Sequence, residues 1–137
     1  MSEPIVFDNE PLYAAVFDED GASTINEYLA EVHRGEREGY ASIATWTELL
    51  YTVARMIPWD DAVAVVELLE GQNVIPIAVQ ETWHEAGYFK HEYNVALGDA
   101  FALAAAEHVN GTLLVGADDD FDGVEEVRIE RFRSEGV

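Results

Sequence analysis

Four short, largely apolar runs, at residues 5–7, 40–44, 74–79 and 112–115, are separated by longer segments whose apolar residues recur at helical spacing, and a last strand is expected at 127–132. This alternation leaves a chain few architectures. Parallel strands need crossovers long enough to hold helices, and a sheet built that way must be covered on both faces. Pro11 suits the first turn of a short helix through residues 12–16. Over residues 23–34, Ile25, Leu29 and Val32 fall on one stripe. From Trp46 a second stripe runs through Leu49, Leu50, Val53 and Ile57 and is closed by Pro58. Asp60 and Asp61 open a helix carrying Val63, Val66 and Leu69, and residues 81–93 read as another. An alanine-rich helix begins at Asp99 and stops at Asn110 and Gly111. With 137 residues and no repeat or linker, the expectation is one α/β domain with a mostly parallel sheet.

Composition removes several chemistries. No cysteine is present, which excludes disulfides, thiol nucleophiles and cysteine-bound zinc and suits a reducing compartment. Residues 1–4 carry no basic segment leading into an apolar run, and no apolar stretch reaches the roughly 18 residues of a membrane span. A cytoplasmic protein without a membrane anchor is expected. Acidic residues outnumber basic ones 28 to 7, for a formal charge of −21, and Lys90 is the sole lysine. The acids are spread along the chain rather than gathered in a tail, which favours adaptation to a salty cytoplasm over an acidic decoy. A large basic patch is excluded, so any contact with nucleic acid needs divalent cations to supply phosphate attraction.

Four acids stand where α/β sheets form their sites, outside the carboxyl ends of the strands. Asp8 follows the first run and Asp118 the fourth, while Glu48 and Asp99 lie near helix starts. Two unit charges ~4 Å apart repel by roughly 4 kcal/mol at an effective dielectric near 20. A convergent set therefore needs protons or a hard cation, and Mg²⁺ and Mn²⁺ prefer such oxygen ligands. Each acid also has an ordinary role. Asp8 can cap the helix near Pro11, Thr45-x-x-Glu48 has the spacing of a capping box, Asp99 can be an N-cap, and Asp118 can belong to a solvated turn. Asp118, Asp120, Asp122 and Gly123 match the first half of a calcium loop, but Ile129 stands where its last carboxylate is required. His33, His84, His91 and His108 lack zinc-motif spacing. No phosphate-cradling glycine loop appears, nor a nucleophile elbow around Ser2, Ser23, Ser42 or Ser134. Arg55, two turns after Glu48, is either a phosphate contact or a member of a surface ion pair.

In order, these segments resemble the PIN domain, and within it the VapC-type toxins of toxin–antitoxin pairs. Residues 7–12 through the acidic turn 18–22 are similar to that family's opening. The stretch 40–50 with Thr45 and Glu48 resembles its second motif, 97–102 around Asp99 the third, and 112–121 with Asp118, Asp119 and Asp120 the last. The likeness covers residues 4–133. It implies a PIN-like three-layer α/β/α fold and a Mg²⁺- or Mn²⁺-dependent endoribonuclease acting on RNA. It also implies a homodimer, a small antitoxin as partner and a salt-adapted, haloarchaeal-like source. Asp8, Glu48, Asp99 and Asp118 would be the catalytic and metal-binding set, with Asp120 an outer or optional ligand. Asn9 departs from the pattern, standing where Thr or Ser is common in the family. Other readings are a PIN-like binding module without catalysis, a PIN nuclease of RNA processing, and a phospho-acceptor receiver domain. For the last of these Lys90 is badly placed.

Overall fold

A computed structural model of the chain describes residues 2–133, so Met1 and residues 134–137, Ser134 among them, lie outside the described residues. Five strands form one sheet: β1 (Ile5–Phe7), β2 (Gly39–Ser42), β3 (Val74–Ile77), β4 (Thr112–Val115) and β5 (Arg128–Arg131). Every pairing is parallel, and the order is β3-β2-β1-β4-β5. The chain builds outward from β1 to β3 on one side, then returns to place β4 and β5 on the other.

Six α-helices make the first three crossovers: α1 (Asn9–Phe17), α2 (Ala22–His33), α3 (Ile43–Ala54), α4 (Trp59–Glu70), α5 (Trp83–Tyr93) and α6 (Leu97–Val109), while β4 joins β5 through a 3₁₀ turn, Asp119–Phe121. They divide between the faces of the sheet. Ile5, Phe7, Ala41 and Leu114 pack with Leu12, Ile25, Leu49 and Val66, so α1 to α4 cover one face. Val6, Leu113 and Val115 pack with Phe89, Leu103 and the buried alanines of α6, so α5 and α6 cover the other. Alternate residues of one strand thus feed separate cores. Removing apolar surface from water stabilises each by roughly 25 cal/mol per Å². The α/β/α layering is as the sequence implies.

Both edge strands carry features that suit an unpaired side. Pro76 sits in β3, which pairs only with β2, and an edge strand tolerates its missing N–H. At the other edge β5 reads Arg-Ile-Glu-Arg, a charged border that discourages further pairing. Helix α6 ends on Asn110 in the left-handed region (φ 53°), as the Asn-Gly pair suggests.

Several boundaries differ from the sequence expectation. The strand expected at 40–44 stops at Ser42, and the following helix starts at Ile43 rather than Trp46. Ser42 becomes the N-cap of α3, its hydroxyl accepting from the Ala44 amide at 3.1 Å. Thr45 therefore lies inside the helix, and the Thr45–Glu48 capping box is not formed. Helix α6 begins two residues before Asp99, with Ala96 at its N-cap position, so Asp99 is not the cap. The last strand is confined to Arg128–Arg131, inside the expected 127–132. Among the described residues no helix is long and apolar enough to cross a membrane.

Candidate active site

The order of strands reverses between β1 and β4, and a crevice at such a switch point is where open α/β sheets hold ligands. Both strands deliver an acid there. Asp8 follows β1 directly and is 6 % exposed. It occupies the N-cap position of α1, yet its side chain makes no capping hydrogen bond and its Oδ1 is buried without a partner. Glu48 lies in the second turn of α3, too far along to serve that helix's start, and is half-buried. Asp99 is the third residue of α6, where the helix dipole favours negative charge. Asp118 also has a local structural role, since it caps the 3₁₀ turn Asp119–Phe121 by accepting from the Asp120 amide at 2.9 Å.

These acids converge around Asp99. Carboxylate oxygens of Asp99, Asp118 and Asp120 all lie within 4.8 Å of one another. Burial first, then the charges of Asp118, Glu48 and Asp120, push the Asp99 carboxyl up to about 7. Burial likewise drives Asp8 well above the usual carboxylate range, and Asp99, Glu48 and Glu10 add to it. Burial raises Glu48 as well. The four other acids singled out in the sequence are thus all tied to Asp99, either within the oxygen cluster or through its field.

An all-oxygen donor set under mutual repulsion, with one buried oxygen lacking any partner, fits a hard divalent cation. The backbone makes room for it. A Cβ on Gly98 would stand 2.9 Å from Oε1 of Glu48, so the glycine lets that carboxylate lie against the start of α6.

Three residues that sequence reasoning passed over hold the crevice in shape. Glu10 reaches from α1 to the loop after β4, where its Oε2 accepts from the Ala117 amide at 3.3 Å. Its carboxylate lies so close over Gly116 that any side chain there would collide with it. Arg133 donates to Glu10 at 2.9 Å and to Glu19 at 3.2 Å. Arg131 donates to the carbonyls of Gly116 and Asp118 at 2.7 and 2.8 Å and pairs with Asp122 at 2.6 Å. The start of α1 beside Asp8 and the loop carrying Asp118 are therefore tied to the end of β5, more than a hundred residues from Asp8.

Two hollows are lined in part by residues of α3 and its C-cap. One of about 350 Å³ is lined by Asn9, Glu10, Tyr13, Thr52, Arg55 and Met56. The other, about 490 Å³, lies between Glu48, Tyr51, Leu97, Gly98 and Phe101, among others.

Solved structures share this architecture at low sequence identity. The VapBC2 complex from Rickettsia felis, bound to a DNA fragment from its promoter, aligns with a TM-score of 0.76 at 13% identity, over 93% of this chain and 97% of that one. The DNA-bound VapBC of Salmonella typhimurium gives 0.71 at 18% identity, over 96% and 99%. A toxin–antitoxin complex from Klebsiella pneumoniae gives 0.67 at 19%, over 90% and 94%. No curated protein matches the chain by sequence. The family model described as PIN domain matches residues 5–127, most of the chain. Fold, strand order and the placement of acids at the carboxyl edge of the sheet accord with that match: the chain belongs to the PIN domain family.

Proposed function

We propose that residues 4–133 form a divalent-metal-dependent endoribonuclease, the toxin of a type II toxin–antitoxin pair. The convergence of four other acids on Asp99 at the carboxyl edge of the sheet carries this reading. Asp8, Asp99 and Asp118 would hold Mg²⁺ or Mn²⁺, with Asp120 an additional ligand and Glu48 either completing the set or orienting the attacking water. A bound divalent ion supplies positive charge for phosphate oxygens and for the negative charge that develops as the phosphodiester is cut. The chain's own part is to hold that charge in one place. Arg131 ties down the loop that carries Asp118, Arg133 ties down the start of α1 beside Asp8, and Gly98 lets Glu48 approach the start of α6. In the hydrolysis, water oxygen attacks phosphorus, the phosphorus–oxygen bond to the leaving sugar breaks, and a proton passes to the departing oxygen. Glu48, half-buried and raised in pKa, is suited to accept the proton of the attacking water.

The similar structures described as VapBC or toxin–antitoxin complexes support a small antitoxin as partner. A homodimer and a salt-rich cytoplasm complete the reading. The decisive measurement is cleavage of RNA with Mn²⁺ at molar KCl by the wild type and by Asp99→Asn. Removing one ligand carboxylate is expected to lower cleavage by about a hundredfold or more. Undiminished cleavage by the variant overturns the site. A wild type that binds no divalent ion in calorimetric titration near neutral pH points instead to a PIN-like binding module.

A further inference from the structure

Six arginines and one lysine face 28 acids, and the structure gives nearly every cation an acceptor. Five of the arginines have a carboxylate partner between 2.6 and 3.3 Å, and Lys90 donates to the Val95 carbonyl at 2.8 Å. Arg55 is the exception. Among the described residues no carboxylate lies within 4.0 Å of it, and its guanidinium rests 4.7 Å from the centroid of the Tyr51 ring. On a surface this acidic, a guanidinium without a counter-charge is a conspicuous place for an anion.

Its position gives the anion an identity. Arg55 stands at the end of α3, seven residues after Glu48, or about 10 Å along the helix axis. It lines the hollow of about 350 Å³ together with Asn9, which follows Asp8 in the chain, and with Glu10, Tyr13 and Met56. Asn9 contributes a buried Oδ1 with no partner. A hollow of this size is in the range that holds a small ligand, with few polar groups fixing its orientation. The guanidinium lies over the Tyr51 ring, and its planar fork of N–H donors suits bidentate contact with phosphate. Tyr13 and Met56 offer an apolar seat for a base that has left its stack, which only an unpaired strand can supply.

We propose that Arg55, steadied by Tyr51, grips a phosphate flanking the cleaved one, and that the Asn9–Tyr13–Met56 hollow seats the adjoining nucleoside of a single-stranded RNA. This rests on the ribonuclease reading above. Two readouts keep the claims apart. Cleavage kinetics at molar KCl compare the wild type with Arg55→Gln and Arg55→Lys. The glutamine variant should raise KM about tenfold with kcat within about twofold, and lysine should recover part of the loss. Fluorescence anisotropy of a labelled single-stranded oligonucleotide, with Ca²⁺ in place of Mn²⁺, should show the same weakening without any turnover. The slope of log affinity against log salt should become shallower by about 0.7 in Arg55→Gln. A wild type that cleaves no RNA while Arg55→Gln still binds the oligonucleotide more weakly refutes the nuclease reading alone. Equal affinity and KM for wild type and Arg55→Gln overturn the Arg55 assignment alone. Tighter binding of a duplex of the same sequence overturns the single-strand claim, and weakened capture of an acidic peptide with unchanged RNA affinity assigns Arg55 to a protein partner instead.

Discussion

Asp99 holds a proton near neutrality because burial removes water and Asp118, Glu48 and Asp120 add repulsion. That arrangement has a signature in stability. The unfolded Asp titrates near 3.8 and the folded one at about 7. Between those values the folded state keeps a proton that the unfolded state has lost, so stability falls as pH rises and levels off above about 7. A shift of about three pKa units corresponds to at most on the order of 4 kcal/mol, before solvent screening and relaxation of the half-buried site reduce it. Replacing the group with Asn removes its titration. Urea denaturation without metal, at pH values from 4 to 9, should show wild type losing stability relative to Asp99→Asn across this window only. At pH 8, Mn²⁺ should restore the wild type and leave the variant unmoved, since a cation that binds only the folded state stabilises by mass action. A difference between the two proteins that stays flat with pH would mean that the Asp99 carboxyl is not held protonated by its neighbours.

The centre depends on how closely α6 can approach α3. Gly98, in the first turn of α6, faces the tip of the Glu48 side chain, where an added methyl would stand 2.9 Å from Oε1. A flexible carboxylate can swing away, and alanine is favoured over glycine in a helix by up to ~1 kcal/mol. Gly98→Ala should therefore leave Tm unchanged or slightly raised. Moving Glu48 away from Asp99 should nonetheless weaken Mn²⁺ binding by about tenfold or more in calorimetry. Unaltered metal affinity would show that Glu48 is not part of the ligand set. The same division between helix and site decides what is legible in the sequence. Strand and helix identities are legible because burial on two faces and helical stripes leave periodic traces, as in Ile25, Leu29 and Val32. The start of α3 is not. Thr45-x-x-Glu48 satisfies the capping-box spacing, but β2 pairs with β3 through Ser42 and Ile77, and the chain leaves the sheet there, handing the cap to Ser42. Asp8, Glu48, Asp99 and Asp118 are legible only as an ordered set at strand ends and helix starts, since each alone also has an ordinary capping or turn role. Glu10 and Arg133 are not legible, because their ion pair joins positions 123 residues apart and neither has a local motif.

Charge governs the molecule as a whole. With a formal charge of −21, every added unit of compaction brings acids closer together. Two effects of salt oppose each other. Screening weakens the arginine ion pairs at the surface, and it weakens the repulsion among the acids. The pairs are few: Arg34–Glu36 and Arg128–Glu3 have side chains about half in solvent and contribute little to stability, and those of Arg37, Arg131 and Arg133, though less exposed, involve only three more cations. The repulsion involves 28 acids over a surface of 7147 Å², and it extends over the Debye length, which shrinks from ~10 Å at 0.1 M to ~3 Å at 1 M. Relief of repulsion therefore wins. Thermal unfolding without divalent metal, in KCl from 0.1 to 1 M, should show Tm rising by about 5 °C or more, equivalent to a gain on the order of 1–2 kcal/mol. Chloride is the right anion for this measurement, because sulfate would strengthen apolar burial in any protein and mask the cause. A Tm that stays level or falls with KCl would mean that the acids are already spaced beyond mutual influence. In that case the exposed ion pairs, not the net charge, would set the protein's response to salt.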